Sequence, residues 1–356
     1  MTGKRIENLQ KYLENNTAVI LFESADRFYF SGFNSSAGAL VVTRNNAFLL
    51  MDFRYYEKAK KTVNGLDVLL CERLYVQMAE ILTKENVKTV FLETEDISVA
   101  KFKTLCECFS GINISDKPYI QNVIQKLRSV KDQEELKCIT KAQEITDKTF
   151  NYILGRLEEG RTEKEIALEM EFFMRKNGSE SVAFDFIVVS GKNSSLPHGV
   201  PTDKRIEKGD FITMDFGAVV GGYRSDMTRT VAVGFADDLQ KEIYSTVLKA
   251  QTETVKFIKS GVKCCDVDKV ARDIITDAGY GDCFGHGLGH SVGLEIHENP
   301  ACNTRDETLL TSGMIMTVEP GIYIENKFGV RIEDMVFLTF NGNENLTKSP
   351  KELIIL

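Results

Sequence analysis

The chain has 356 residues, 43% hydrophobic and 27% charged, with a net charge of −8. That length exceeds what one hydrophobic core usually serves, so two domains are expected. The negative balance speaks against nucleic-acid and anionic-membrane partners, and no apolar run reaches the roughly 18 residues of a membrane helix.

The start, Met1-Thr2-Gly3-Lys4-Arg5, has no apolar signal core behind it. The eight cysteines include no Cys-x-x-Cys pair, and only Cys283 lies near the histidine stretch described below. Both features are those of a cytoplasmic protein with reduced thiols.

Residues 1–125 alternate helical and strand patterns. Ile6 to Leu13 reads as an amphipathic helix and Tyr75 to Leu82 as another. Ala18 to Phe22, Ala39 to Thr43, Ala47 to Met51, Val68 to Cys71 and Thr89 to Leu92 are compact β-type runs. Such alternation predicts a small α/β domain. Asp52-Phe53-Arg54-Tyr55 follows a strand and reads as structural. The region holds no histidine and no phosphate-binding glycine loop, and no paired acids that read as a site.

From Val130 the pattern changes to long helices. Lys131 to Leu157 carries apolar residues at helical spacing, and Thr162-Glu163-Lys164-Glu165 is a capping box opening the next helix. Strands are expected over Ala183 to Val189, Phe211 to Ala218 and Tyr223 to Val233. The order then recurs: a helix over Leu239 to Ile258, one capped by Asp266 and stopped by Gly279, then strands over Met314 to Ile324 and Val330 to Phe340. Residues 126–356 therefore read as one domain of two similar halves.

Each half holds two acids placed about a turn. Asp215 and Asp226 are equidistant from a point between Val220 and Gly221; Glu319 and Glu333 are equidistant from Asn326. Residues so placed face each other across a hairpin, with Cβ atoms about 5 Å apart, and like charges there are unfavourable. Four carboxylates within apolar strands call for cations. Three of the four histidines fall nearby, in Gly285-His286-Gly287-Leu288-Gly289-His290 and Ile296-His297-Glu298. The glycines argue against a helix there, so His286 and His290 do not form the helical zinc signature. Four carboxylates and an imidazole are too many for one structural zinc. They suit two divalent ions about 3.5–4 Å apart.

Asp215, Asp226, His290, Glu319 and Glu333 occur in the order and spacing of the metal ligands of the pita-bread metallopeptidases. That family includes methionine aminopeptidase, aminopeptidase P and prolidase. Further similar pieces are Ser190-Gly191-Lys192-Asn193-Ser194-Ser195-Leu196-Pro197-His198-Gly199, Met214-Asp215-Phe216-Gly217, Ser225-Asp226-Met227-Thr228-Arg229-Thr230, Val318-Glu319-Pro320-Gly321 and Arg331-Ile332-Glu333-Asp334. The first third resembles the creatinase-type N-terminal domain of the proline-specific branch. Creatinase itself lacks the ligands, and methionine aminopeptidases usually lack this N-terminal domain.

The resemblance implies an α/β creatinase-like domain over 1–125 and an α+β pita-bread catalytic domain over 126–356 with an internal pseudo-two-fold repeat. It implies that Asp226 and Glu333 bridge two divalent ions, with Asp215 on one and His290 and Glu319 on the other. Manganese or cobalt suits hard oxygen donors, with zinc and iron compatible. It further implies that Glu319 moves the proton and His297 binds the developing oxyanion. His198 would stabilise the intermediate or the proline side, His286 would line the substrate site, and Arg331 would orient a bridging carboxylate. The activity implied is release of the first residue from peptides with proline second, by a cytoplasmic homodimer. Some prolidases carry an arginine soon after the His-Glu motif to hold a dipeptide's carboxylate. Here that place is Ala301, which tilts the expectation toward an Xaa-Pro aminopeptidase acting on longer peptides, with an Xaa-Pro dipeptidase as the alternative. A non-catalytic binding scaffold is the competing class.

Overall fold

The apolar runs of the first third become one mixed sheet. In the computed structural model, which describes Thr2–Leu356, the chain divides into two compact units, one ending at Arg128 and the other spanning Ser129–Leu356. In the first unit, β1 (Thr17–Leu21), β2 (Ala39–Thr43), β3 (Ala47–Met51), β4 (Asp67–Leu70), β5 (Thr89–Leu92) and β6 (Asn113–Ser115) lie in the order β4-β3-β2-β1-β5-β6. β1 pairs antiparallel with β2 and parallel with β5. Every residue of β1 and β2 is buried, so these runs are near-continuously apolar rather than alternating. Asp52 caps the helix Phe53–Thr62 by accepting the Arg54 N–H, a structural role.

Acids unpaired in sequence do meet in this unit. Glu93 and Asp26 are both buried, and burial followed by the Asp26 charge pushes Glu93 well above the usual carboxylate range. Arg128 answers Asp26 at 2.7 Å.

The second unit is built twice over. The helices Gln133–Leu154 and Glu163–Lys176 precede β7 (Ile187–Ser190), β8 (Phe211–Phe216), β9 (Val219–Val220), β10 (Tyr223–Arg224) and β11 (Met227–Ala232). The helices Asp238–Phe257 and Cys264–Asp277 precede β12 (Gly289–Ser291), β13 (Glu298–Cys302), β14 (Ile315–Val318), β15 (Gly321–Ile324), β16 (Phe328–Arg331), β17 (Asp334–Leu338) and β18 (Asn343–Asn345). One half forms the sheet β7-β8-β11; the other repeats it as β12-β14-β17, with β13 and β18 added at its edges. In both, the central hairpin is prolonged by a short two-stranded ribbon. Each half has an apolar cluster between its helices and its sheet.

The Thr162 capping box is present: its hydroxyl accepts the Glu165 N–H while the Glu165 carboxylate accepts the Thr162 N–H. Asp266 is not a cap. Its helix begins at Cys264, after Lys263, because the Cys264 and Cys265 N–H groups already donate to the Thr308 and Asp306 carbonyls and leave a side-chain cap little to satisfy. Among the described residues no helix is long and apolar enough to cross a membrane.

Candidate metal centre

Strand register delivers the acids to one place. Asp215 on β8 stands opposite Thr228 on β11, which corrects the expected pairing of Asp215 with Asp226. The turn lies one position later than expected, at Gly221-Gly222, with φ of 59° and 80°. A two-residue turn with both central residues at positive φ follows the natural twist of the strands. Asp226 falls two residues from Thr228 and so shares its face, leaving Asp215 and Asp226 as diagonal neighbours. Gly217 makes this possible: a Cβ there would lie 1.8 Å from the Ser225 carbonyl oxygen.

In the second half, the pairs Val318↔Asp334 and Gly321↔Arg331 both centre on Asn326. Glu319 and Glu333 are thus opposite, as expected, about a three-residue loop whose Asn326 has φ 58°. The ladder opens between them. The Glu319 N–H donates to the Leu288 carbonyl and the Glu333 N–H to the Thr228 carbonyl, which ties Glu333 to the first half.

His290 sits on β12. Its Nδ1–H donates to the Ser291 carbonyl at 3.1 Å, which leaves Nε2 with its lone pair free to accept a partner. That nitrogen lies 3.3 Å from Glu319 Oε1 and 3.7 Å from Asp226 Oδ2. Asp226, His290 and Glu333 each offer a ligand atom within 4.8 Å of the others.

The electrostatics are those of a cluster short of positive charge. Burial, then Glu333, pushes the Asp226 carboxyl well above the usual range; burial, then Glu319, does the same to Glu333. Burial also raises Asp215, against the pull of Arg331. Burial would raise Glu319 as well, but the His290 hydrogen bond and the nearby cations hold it down to about 2. Asp215 Oδ1 and Glu333 Oε1 are buried with no hydrogen-bond donor. Buried acceptors normally find partners; unmatched carboxylate oxygens beside one imidazole fit divalent cations.

Arg331 is buried and spends its donors on the protein. Nη2 bonds Asp215 Oδ2 at 2.7 Å, Nε bonds Thr228 Oγ1 at 3.0 Å, and Nη1 bonds the Pro197 carbonyl and the Tyr323 hydroxyl. It therefore orients Asp215 directly and reaches Glu333 only through Thr228, whose hydroxyl donates to Glu333 Oε2 at 2.7 Å.

His286 and Tyr323 extend this chain. The Tyr323 hydroxyl donates to His286 Nε2 at 3.1 Å while His286 Nδ1–H donates to the Gly287 carbonyl. Burial lowers the His286 pKa. The His297 ring lies 4.5 Å from that of His290, and the partial desolvation of this otherwise exposed residue, then His290, lowers its pKa. His198 and His297 are exposed, and together with His286 they line a cavity of about 770 Å³ that also holds the four acids and His290. Cys283 is half-buried and free and does not line that cavity.

Residues 137–339 match metallopeptidase family M24, and residues 5–130 match the creatinase/prolidase N-terminal domain. The chain belongs to metallopeptidase family M24. This M24 chain is 42% identical to a Xaa-Pro dipeptidase of Pyrococcus furiosus over 99% of each chain. Its structure matches a Xaa-Pro dipeptidase from Bacillus anthracis at TM-score 0.96, with 40% identity and full coverage of both chains. It also matches an X-Pro aminopeptidase from Thermotoga maritima at TM-score 0.91, with 37% identity over 99% of each. The fold is thus a creatinase-type N-terminal domain joined to a pita-bread catalytic domain.

Two residues at the M24 site escaped the sequence reading. Thr228 was legible in principle, since it alternates with Asp226 along one strand. Tyr323 lies diagonally across the ribbon from Arg331, over Gly329, where a Cβ would strike the tyrosine ring.

Proposed function

We propose that this M24 metallopeptidase cleaves the Xaa-Pro bond and acts on dipeptides. The observation that carries the reading is the set Asp226, His290 and Glu333, its two acids buried, with Asp215 and Glu319 beside it. The cavity that holds them has apolar walls, among them Phe184, Phe186, Pro197 and Val200, suited to a proline ring. The Pyrococcus relative, named for dipeptide cleavage, favours this over the expected preference for longer peptides.

One observation favours the aminopeptidase reading. Among the described lining residues, Arg331 is the single Lys or Arg side chain, and it is committed to Asp215. Ala301 adds no cation, so a dipeptide's free carboxylate lacks a permanent counter-charge.

In this proposal Asp215, Asp226, His290, Glu319 and Glu333 would together hold two divalent ions. Manganese or cobalt is favoured by the oxygen-rich donors, with zinc also compatible. Such ions, when bound, make a water nucleophilic near neutral pH. Glu319 accepts a proton and passes it to the leaving proline nitrogen. His297, whose ring lies beside that of His290 and lines the cavity, donates an N–H to the carbonyl oxygen as it gains charge. The substrate's amino group lies near Asp226, and His198 faces the proline side. Residues 1–125 form the creatinase-like domain and 126–356 the catalytic one. A homodimer in the cytoplasm completes the reading.

Ala-Pro and Ala-Pro-Ala, assayed after chelation and restoration ion by ion, test it. Much faster cleavage of Ala-Pro supports the dipeptidase. Much faster Ala-Pro-Ala cleavage supports the aminopeptidase, and no metal-dependent cleavage of either overturns both.

A further inference from the structure

Among the described residues none hydrogen-bonds the His198 imidazole, so the ring lies where its backbone puts it. That backbone belongs to the segment between Ser190 and Thr202, and one carboxylate grips both ends of it. Glu163 is fully buried. Its Oε1 accepts the Ser190 N–H at 2.6 Å, the Ser190 hydroxyl at 3.0 Å and the Asn193 amide at 3.1 Å. Its Oε2 accepts the Thr202 N–H at 2.9 Å and the Thr202 hydroxyl at 2.6 Å.

The gripping residue is itself anchored. Glu163 is the first residue of the helix Glu163–Lys176, which is capped by Thr162 and buries Ile166, Met170 and Met174. The far side of the segment is tied to the second half of the repeat: Ser194 Oγ accepts the Gly329 N–H at 2.9 Å, and the Pro197 carbonyl accepts from Arg331.

We propose that Glu163 is a positioning residue for His198: it clamps the Ser190–Thr202 segment and so sets where the imidazole meets the substrate. Glu163 does not line the cavity, so it acts through the backbone. Only a carboxylate can serve here, because it offers two acceptor oxygens and no donor, whereas a glutamine would turn its NH₂ toward groups that also donate. Bonds to an ionised acceptor are also the stronger ones. The inference rests on the reading that His198 acts on the substrate.

The test is a double-mutant cycle on the metal-loaded enzyme with Glu163→Gln, His198→Ala and their combination, measuring kcat and KM. Thr202→Val serves as a milder variant should Glu163→Gln not fold, since it removes one donor and leaves the acid. Misplacement by about 1 Å can cost on the order of 100-fold, so a 10- to 100-fold loss in kcat/KM is expected for Glu163→Gln, and a smaller one for Thr202→Val. The double variant should fall no lower than His198→Ala alone, with metal content unchanged. A buried acid that served only the fold would give losses that multiply, and that result overturns the positioning role while leaving His198 in place. Full activity of His198→Ala overturns the His198 reading first and this inference with it.

Discussion

Arg229 and Asp334 form an ion pair 2.7 Å long in which each side chain is 1% exposed. The pair lies directly behind Glu333. Arg229 also donates to the Glu333 and Thr228 carbonyls and to the Ser349 and Pro350 carbonyls of the C-terminal segment. Asp334 Oδ2 accepts from Gln251, Asn345 and Lys351. Both halves of the repeat and the tail thus converge on one buried ion pair.

Removing one member of such a pair strands the other, which typically costs about 3–5 kcal/mol. Arg229→Met and Asp334→Asn should each lose stability on that scale in urea unfolding at neutral pH. Burial would raise the Asp334 carboxyl, but Arg229 and Lys351 hold it below the usual range. The stabilisation is therefore present above the ordinary carboxylate pKa and is lost as pH falls through the lower folded value. Asp334→Asn should show a shallower acid-side loss than the parent; an identical acid limb would contradict the assignment.

Asp226 and Glu333 have the opposite sign. Their folded pKa values are raised, so between the usual and the raised values the folded state binds more protons and stability falls as pH rises. His290, also raised, adds to that fall through its own higher range. Metal-free protein should therefore lose stability from mildly acidic to neutral pH. Glu333→Gln should stabilise metal-free protein at neutral pH by on the order of 1 kcal/mol or more. Saturating metal at about 100 times Kd should add about 2.7 kcal/mol to the parent and much less to the variant. Thermal melts with and without metal check both.

Lys131 and Glu298 form a second buried pair, 2.8 Å long, with side-chain exposures of 0% and 6%. Glu298 Oε1 also accepts the Leu294 and Glu295 N–H groups, which shapes the loop leading to His297. Lys131→Met alone should cost about 3–5 kcal/mol, and adding Glu298→Gln should recover part of it, because a lone buried charge costs more than none. With His297 displaced, kcat should fall more than KM rises. A double variant less stable than either single would reject the pairing argument.

Gly217→Ala tests the close approach behind Asp226. Its Cβ would meet backbone rather than a yielding side chain, and overpacking typically costs about 1–3 kcal/mol. The loss should lie at or above the top of that range, with metal content reduced as Asp226 shifts. Wild-type metal content and melting temperature would show that the strands can part there at no cost.

What the sequence determined by itself was local. Ala39–Thr43 and Thr89–Leu92 read as strands from apolar runs, and the Thr162 box announced its helix, because burial pattern and capping act over a few residues. Glu319 facing Glu333 was legible because Asn326 centres a short hairpin. The companion ribbon was misjudged by one position, since Gly221 and Gly222 both take positive φ and a neighbouring centre fits the same residues. Tertiary structure alone decided the rest. Asp26 meets Glu93 in a buried acid pair, Glu163 grips Thr202 39 residues away, and Arg229 finds Asp334 across 105 residues. No turn or periodicity encodes such meetings. They arise when packing of apolar faces brings distant strands together, and a buried charge must then take whatever partner that packing supplies.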